Sequence, residues 1–294
     1  MNPWAACGAF IDSHGRAAMV EIVRVEGSAP RDVGTVMAVR EDGAFSGTIG
    51  GGALEWRVLA DARRLLTTAQ RLGERDYILG PDLGQCCGGR IRVRIAIFDQ
   101  HDKGTIEQRA AAATATHSPV AVFGAGHIGR ALVLALAPLP FHVCWMDGRD
   151  GAFPSHVPEN TVCCPLGDID AAVAGIAPGS LVVIMTHDHA LDLHIVYKTL
   201  SRRDLAFVGL VGSASKRARF CHRLTAAGLA PSQISALICP IGVGGLRSKS
   251  PAIIAAGIAL QLLQQHEARH PPCGDDGAIL RKLPDFSLQA EHQS

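Results

Sequence analysis

Apolar and polar residues alternate along 17–25, which reads as a strand with one buried face. Gly27-Ser28-Ala29-Pro30-Arg31 breaks that pattern. A second strand is expected over 35–40, turned by Glu41-Asp42-Gly43 into a third over 45–49, a hairpin. Gly50-Gly51-Gly52 then leads into 53–70, where Leu54, Val58, Ala62 and Leu65 share one helical face. The alternation is strictest at 90–98: Arg90, Arg92 and Arg94 oppose Ile91, Val93, Ile95 and Ile97. That predicts a half-buried strand with one basic face.

The pattern changes at Pro119. Short β-branched runs at 120–123, 141–146, 161–164, 181–185, 206–210 and 236–239 are separated by amphipathic stretches such as 191–200, 215–227 and 253–265. Strands alternating with helices imply a parallel sheet covered on both faces. The expected fold class is α/β: a C-terminal Rossmann-like, doubly wound parallel sheet preceded by a mixed α/β domain. The expected division is an N-terminal domain over 1–102, a linker over 103–117, the Rossmann-like domain over 118–270 and a polar tail over 271–294.

Composition narrows the function. Net charge is +1, from 28 basic and 27 acidic residues, so nothing draws the chain to a polyanion. Aromatics are only 5%, which argues against a base-stacking surface. No signal-peptide pattern opens the chain, and the apolar run 253–263 is too short to span a bilayer. With nine cysteines at irregular spacing, a cytoplasmic protein with reduced thiols is expected. Glycines cluster at 47–52, 84–89, 124–129 and 242–245, as in loops that meet ligands closely.

Five groups of residues are candidates for chemistry. In Gly84-Gln85-Cys86-Cys87-Gly88-Gly89, the glycines leave the thiols uncovered. The pair can hold a metal or soft cofactor, act as a nucleophile or exchange disulfides; it lacks the C-x-x-C spacing of zinc ribbons and thioredoxins. Cys163-Cys164 ends a predicted strand and reads as buried and structural. The strand 120–123 runs into Gly124-Ala125-Gly126-His127-Ile128-Gly129, the dinucleotide-binding fingerprint. Gly124 would make the turn, Gly126 would let a pyrophosphate approach, and Gly129 would let helix and strand pack. Asp147 stands where a ribose-binding carboxylate belongs. Near the ends of later strands, Thr186-His187-Asp188-His189 suits acid–base work, metal binding or helix capping. Ser213 and Lys216 suit either a phosphate site or an ordinary capped helix start. Ser28, Arg31, Gly50 and Gly51 form a similar set in the first domain.

The segments GSAPRDVGTVMAV (27–39), GTIGGGALE (47–55), LGQCCGG (83–89), VFGAGHIG (122–129), THDHALDL (186–193), FVGLVGSASKRARF (207–220) and CPIGVGGLRSKSPAIIAAGIA (239–259) together resemble the XdhC family, the xanthine dehydrogenase accessory proteins. The resemblance implies a cytoplasmic, non-enzymatic chaperone for the molybdenum cofactor, a pterin dithiolene with a phosphate-bearing tail. Such a protein holds the cofactor while a cysteine desulfurase supports its sulfuration, then delivers it to the molybdenum-binding subunit of xanthine dehydrogenase. Molybdenum-cofactor biosynthesis proteins are further expected partners, and a homodimer is a reasonable expectation. Within Cys86-Cys87 the resemblance favours Cys87 as ligand to molybdenum. The competing reading is an NAD(P)-dependent oxidoreductase that uses Gly124, Gly126, Gly129 and Asp147 for the dinucleotide and His187 or His189 for proton transfer. A thiol redox protein is a third.

Overall fold

The computed structural model describes residues 2–80, 88–243 and 248–270. The chain divides into two compact units between Ala115 and Thr116.

The first unit begins with α1 (Pro3–His14), capped by the Asn2 side chain and ended by Gly15 at φ 77°. It continues through β1 (Arg16–Glu26), β2 (Val36–Val39), β3 (Phe45–Gly47), α2 (Gly52–Leu66), β4 (Leu72–Ile78), β5 (Arg90–Asp99) and α3 (Lys103–Thr114). The five strands form an antiparallel sheet in the order β3-β2-β1-β5-β4. Its alternating residues feed two cores. Ala18, Val20, Ile22, Ile91 and Val93 pack with Leu54, Val58 and Ala62 of α2. Ala17, Met19 and Ala38 pack on the other face with Trp4 of α1 and Ile106 of α3.

Two features depart from the expected pattern. The segment 103–117 is no linker: residues 103–114 are helical, and α3 packs against α1 inside the first unit. Its weak signal has a physical reason, since Ile106 is its only fully buried side chain. Two of the three arginines on the basic face of β5 are also matched rather than free. Arg92 binds Asp76 and Arg94 binds Glu74, each at 2.8 Å, and both acids come from β4.

The second unit contains β6 (Ser118–Phe123), α4 (His127–Leu136), β7 (Phe141–Asp147), β8 (Thr161–Pro165), α5 (Ile169–Ala174), β9 (Leu181–Ile184), α6 (His189–Ser201), β10 (Phe207–Leu210), α7 (Ala214–Ala226), α8 (Pro231–Ser235), β11 (Leu237–Ile238) and α9 (Pro251–Arg269). Its strands are all parallel, in the order β11-β10-β9-β6-β7-β8. That is the doubly wound order with its switch point between β6 and β9. One sheet face packs Val120, Val122 and Trp145 against α4 and α9. The other packs Phe123, Val182 and Ile184 against α6 and α7. The connection from β7 to β8 contains no helix. Among the described residues, no helix is long and apolar enough to cross a membrane.

Candidate functional site

In the first unit, glycines let three separated segments meet. Ser28 forms an isolated parallel bridge with Gly88. A Cβ on Gly89 would run into the Ser28 carbonyl oxygen and lie 2.8 Å from that of Glu26. A Cβ on Gly27 would lie 3.3 Å from the Gly89 Cα. The Leu79 amide donates to the Gly89 carbonyl at 2.7 Å, tying the same point to the end of β4. Gly50, at φ 130°, leaves no room for a Cβ beside the Pro30 ring. The result is a glycine ledge built from 27–30, 50 and 88–89.

Ser28 and Arg31 are exposed along this ledge. Among the described residues no side chain caps α2, whose N-cap is Gly51, so its first amides suit an anion. Glu55 braces the loop: its Oε2 accepts from Thr48 Oγ1 at 2.6 Å and from the Ile49 amide at 3.2 Å. Sequence patterning did not single out Glu55; an acid in the first turn of a helix that lacks a cap was its only signal. Cys86 and Cys87 lie outside the described residues. Gly88 and Gly89, which follow them in sequence, are on the ledge.

The second unit builds its crevice around the glycine turn after β6. Gly124 adopts φ 117°, and a Cβ there would run into the Met185 carbonyl oxygen. A Cβ on Gly129 would run into the Gly124 carbonyl oxygen, which also accepts from Trp145 Nε1 at 3.0 Å. These two glycines are required by packing alone. Gly126 is different: its φ is −75°, and a Cβ would meet nothing within 4 Å among the described residues. It is also the N-cap of α4 and supplies no side-chain cap, leaving the helix amides open.

Two cavities flank this turn. The first, about 360 Å³, is lined by Gly126, His127, Arg130, Arg149 and Asp150. Asp147 is buried behind it with both oxygens occupied. Its Oδ2 accepts from the Ala125 amide at 2.7 Å and Arg149 Nη2 at 2.8 Å. Its Oδ1 accepts from the Arg149 amide and Nε, each at 3.0 Å. The Arg149 guanidinium, aided by these amides, holds the Asp147 carboxyl well below the usual carboxylate range. The acid expected to meet a ribose is therefore already engaged by the protein.

The second cavity, about 390 Å³, lies at the switch point and is lined by Ile128, Thr186, His189, Ser213, Lys216 and Arg219 among others. Asp188 caps α6, accepting from the Ala190 and Leu191 amides at 2.5 and 3.2 Å. His187 is exposed and does not line this cavity, whereas His189 does. Ser213 caps α7 by accepting from the Lys216 amide at 3.2 Å. Lys216 Nζ turns inward, donating to Asp192 Oδ2 at 2.6 Å and the Val211 carbonyl at 3.0 Å. Asp192 is fully buried and also accepts from the Thr186 amide at 3.0 Å and hydroxyl at 2.7 Å. The expected Lys216 cation is thus neutralised by an acid that the patterning missed. The signal was present: an aspartate on the inward face of α6, among Ile195 and Val196. No cluster of three or more His, Cys, Asp or Glu side chains suited to a metal ion occurs among the described residues.

A glycine-ledged antiparallel unit joined to a doubly wound unit with a dinucleotide-type turn defines a two-unit α/β protein with glycine-rich loops at its candidate sites. The model of the XdhC and CoxI family matches residues 10–77, and that of the XdhC Rossmann domain matches residues 120–262. The chain belongs to the XdhC and CoxI family. It is 30% identical over 279 residues to the uncharacterized protein YqeB of Escherichia coli (strain K12), covering 90% of this chain and 46% of that protein. The chain therefore spans about half the length of that curated relative. A crystal structure described as a xanthine dehydrogenase from Bacillus halodurans shares the fold, with a TM-score of 0.76 at 20% identity. The match covers 94% of this chain and 98% of that one.

Proposed function

We propose that this protein is a molybdenum-cofactor chaperone, which binds the cofactor as cargo, holds it during sulfuration and passes it to xanthine dehydrogenase or a related molybdenum hydroxylase. One observation carries the reading: Gly27-Ser28, Gly50 and Gly88-Gly89 converge on a ledge whose last segment continues directly from Cys86-Cys87. The donor set fits the cargo. A thiolate suits a soft molybdenum centre. The exposed Ser28 hydroxyl, the Arg31 guanidinium and the uncapped amides of α2 suit a phosphate-bearing tail. On this reading Cys87 is the ligand, and the glycines keep side chains clear of the pterin.

The chain's role is to bind and shield rather than to turn over a substrate. Its proposed partners are the molybdenum-binding subunit of xanthine dehydrogenase, a cysteine desulfurase and cofactor-biosynthesis proteins, in the cytoplasm. The test is pterin release. Protein co-expressed with cofactor synthesis is denatured, the supernatant oxidised and its pterin fluorescence measured, with Cys86→Ala and Cys87→Ala alongside. Pterin should accompany wild type and Cys86→Ala and be lost from Cys87→Ala. Wild-type pterin in Cys87→Ala would sink the ligand assignment; none in any sample would sink the chaperone reading.

A second reading is favoured by Gly126, whose open Cβ position has no packing explanation among the described residues. We infer that the Rossmann turn receives the phosphates of a nucleotide, NAD(P) among the candidates, at the start of α4. Equilibrium titration with nicotinamide nucleotides tests this reading, and unchanged affinity in Gly126→Val would overturn it.

A further inference from the structure

The second unit carries a thiol pair that neither reading uses. Cys144 on β7 and Cys164 on β8 bring their Sγ atoms to 3.0 Å. The strand register explains the contact. Cys144 lies opposite Val162, and Met146 opposite Cys164, so the two cysteines are diagonal neighbours on one sheet face. Cys163 alternates to the other face, where it packs toward the α4–α9 core, while Cys144 and Cys164 pack toward the α6–α7 core.

This sheet face is open to solvent beside the pair. No helix lies between β7 and β8, and α5 covers only part of the gap. Val162 remains 65% exposed, and a cavity of about 700 Å³ opens there, with Ala121, Cys144, Val162, Cys164 and Ala172 in its wall. A small oxidant can therefore reach sulfurs that already touch. The sequence reading of Cys163-Cys164 as a buried structural pair changes accordingly: both are only partly buried, and they serve different faces.

We propose that Cys144 and Cys164 are a reversible modification site, closing to an intramolecular disulfide when the protein meets a peroxide. Burial, together with the neighbouring Cys164 sulfur, pushes the Cys144 thiol up to about 12. Cys144 therefore remains a thiol at neutral pH, and the initial attack falls to Cys164, which lies on the edge strand β8 beside exposed Val162. The Cys164 sulfur takes one peroxide oxygen, the O–O bond breaks, and the departing oxygen leaves as water. Cys164 is then a sulfenic acid. The Cys144 sulfur displaces its hydroxyl, which leaves as a second water with the Cys144 proton. Two thiols and one hydrogen peroxide thus give one disulfide and two waters, and a dithiol reductant reverses the change.

The experiment uses the full chain treated with hydrogen peroxide, blocked with an alkylating agent and digested with trypsin. Arg149 separates the peptide holding Cys144 from the one holding Cys163 and Cys164. A dithiothreitol-sensitive cross-link between these peptides is expected in wild type and in Cys163→Ser, and should be lost in Cys164→Ser and Cys144→Ser. Fragment ions from the wild-type cross-link should place the bond on Cys164, so the assignment does not depend on a variant folding. No cross-link in wild type, a bond placed on Cys163, or a cross-link that survives in Cys164→Ser would overturn the proposal. This outcome is independent of pterin or nucleotide binding.

Discussion

Lys216 donates to Asp192 at 2.6 Å in the wall of the switch-point crevice, and the aspartate is fully buried. Removing one partner leaves a charge without water or counterion. Lys216→Met should therefore cost about 3–5 kcal/mol in urea unfolding. The double variant Lys216→Met, Asp192→Leu should recover most of that loss, because a buried pair replaced as a whole is often near neutral. Equal losses in the single and double variants would show that the pair is not the source.

Gly129 and Gly126 belong to one motif but answer to different constraints. Gly129→Ala forces a methyl into the Gly124 carbonyl and should destabilise the protein by about 1–3 kcal/mol. Gly126→Ala has open space and should cost ~1 kcal/mol or less, chiefly as a poorer helix cap. Denaturant curves on the two variants separate these cases. Nucleotide titration of the well-folded Gly126→Ala then reports on the ligand alone.

Arg149 makes the stability contribution of Asp147 depend on pH. A carboxyl held below its ordinary range stabilises the fold above roughly pH 4, and that contribution disappears as pH falls through its folded value. Arg149→Ala weakens the depression. The stability gap between wild type and Arg149→Ala should be widest near neutrality and close progressively in acid. A gap of constant size across the acid range would mean that the pair does not set the Asp147 titration.

Gly89→Ala tests the ledge. Its methyl would meet the Ser28 carbonyl and push Gly88 away from Ser28. Pterin retention should fall by about tenfold or more, equivalent to about 1.4 kcal/mol of binding free energy. Gly104→Ala on α3 is the control, since a Cβ there meets nothing within 4 Å among the described residues, and it should retain pterin at the wild-type level.

Much of the architecture was legible because burial imposes a period. The parallel unit follows its β-branched runs closely, from β6 (Ser118–Phe123) to β10 (Phe207–Leu210), since strands covered on both faces are apolar throughout. The hairpin of β2 and β3 and the alternation of β5 were equally plain. β4 was missed because Leu72–Ile78 buries only Tyr77 fully. α3 was missed because one isoleucine docks it. At the sites, patterning found the glycines but not their partners. The Asp147–Arg149 and Asp192–Lys216 pairs depend on how side chains fold back, and spacing along the chain does not encode that. Both convert residues that looked available to ligands into residues already committed to each other.

The matched charges on β4 have a consequence beyond neutralising β5. Strand β4 ends the sheet, and the outer edge of a sheet is a template on which another extended chain can grow. Here that margin carries Glu74, Arg75 and Asp76 in succession, all exposed. A second strand arriving there would have to strip water from three charges and disturb three intramolecular ion pairs, Glu74–Arg94, Arg75–Asp61 and Asp76–Arg92. The polarity that hid β4 from pattern reading thus makes this margin of the sheet a poor template for fibrillar growth.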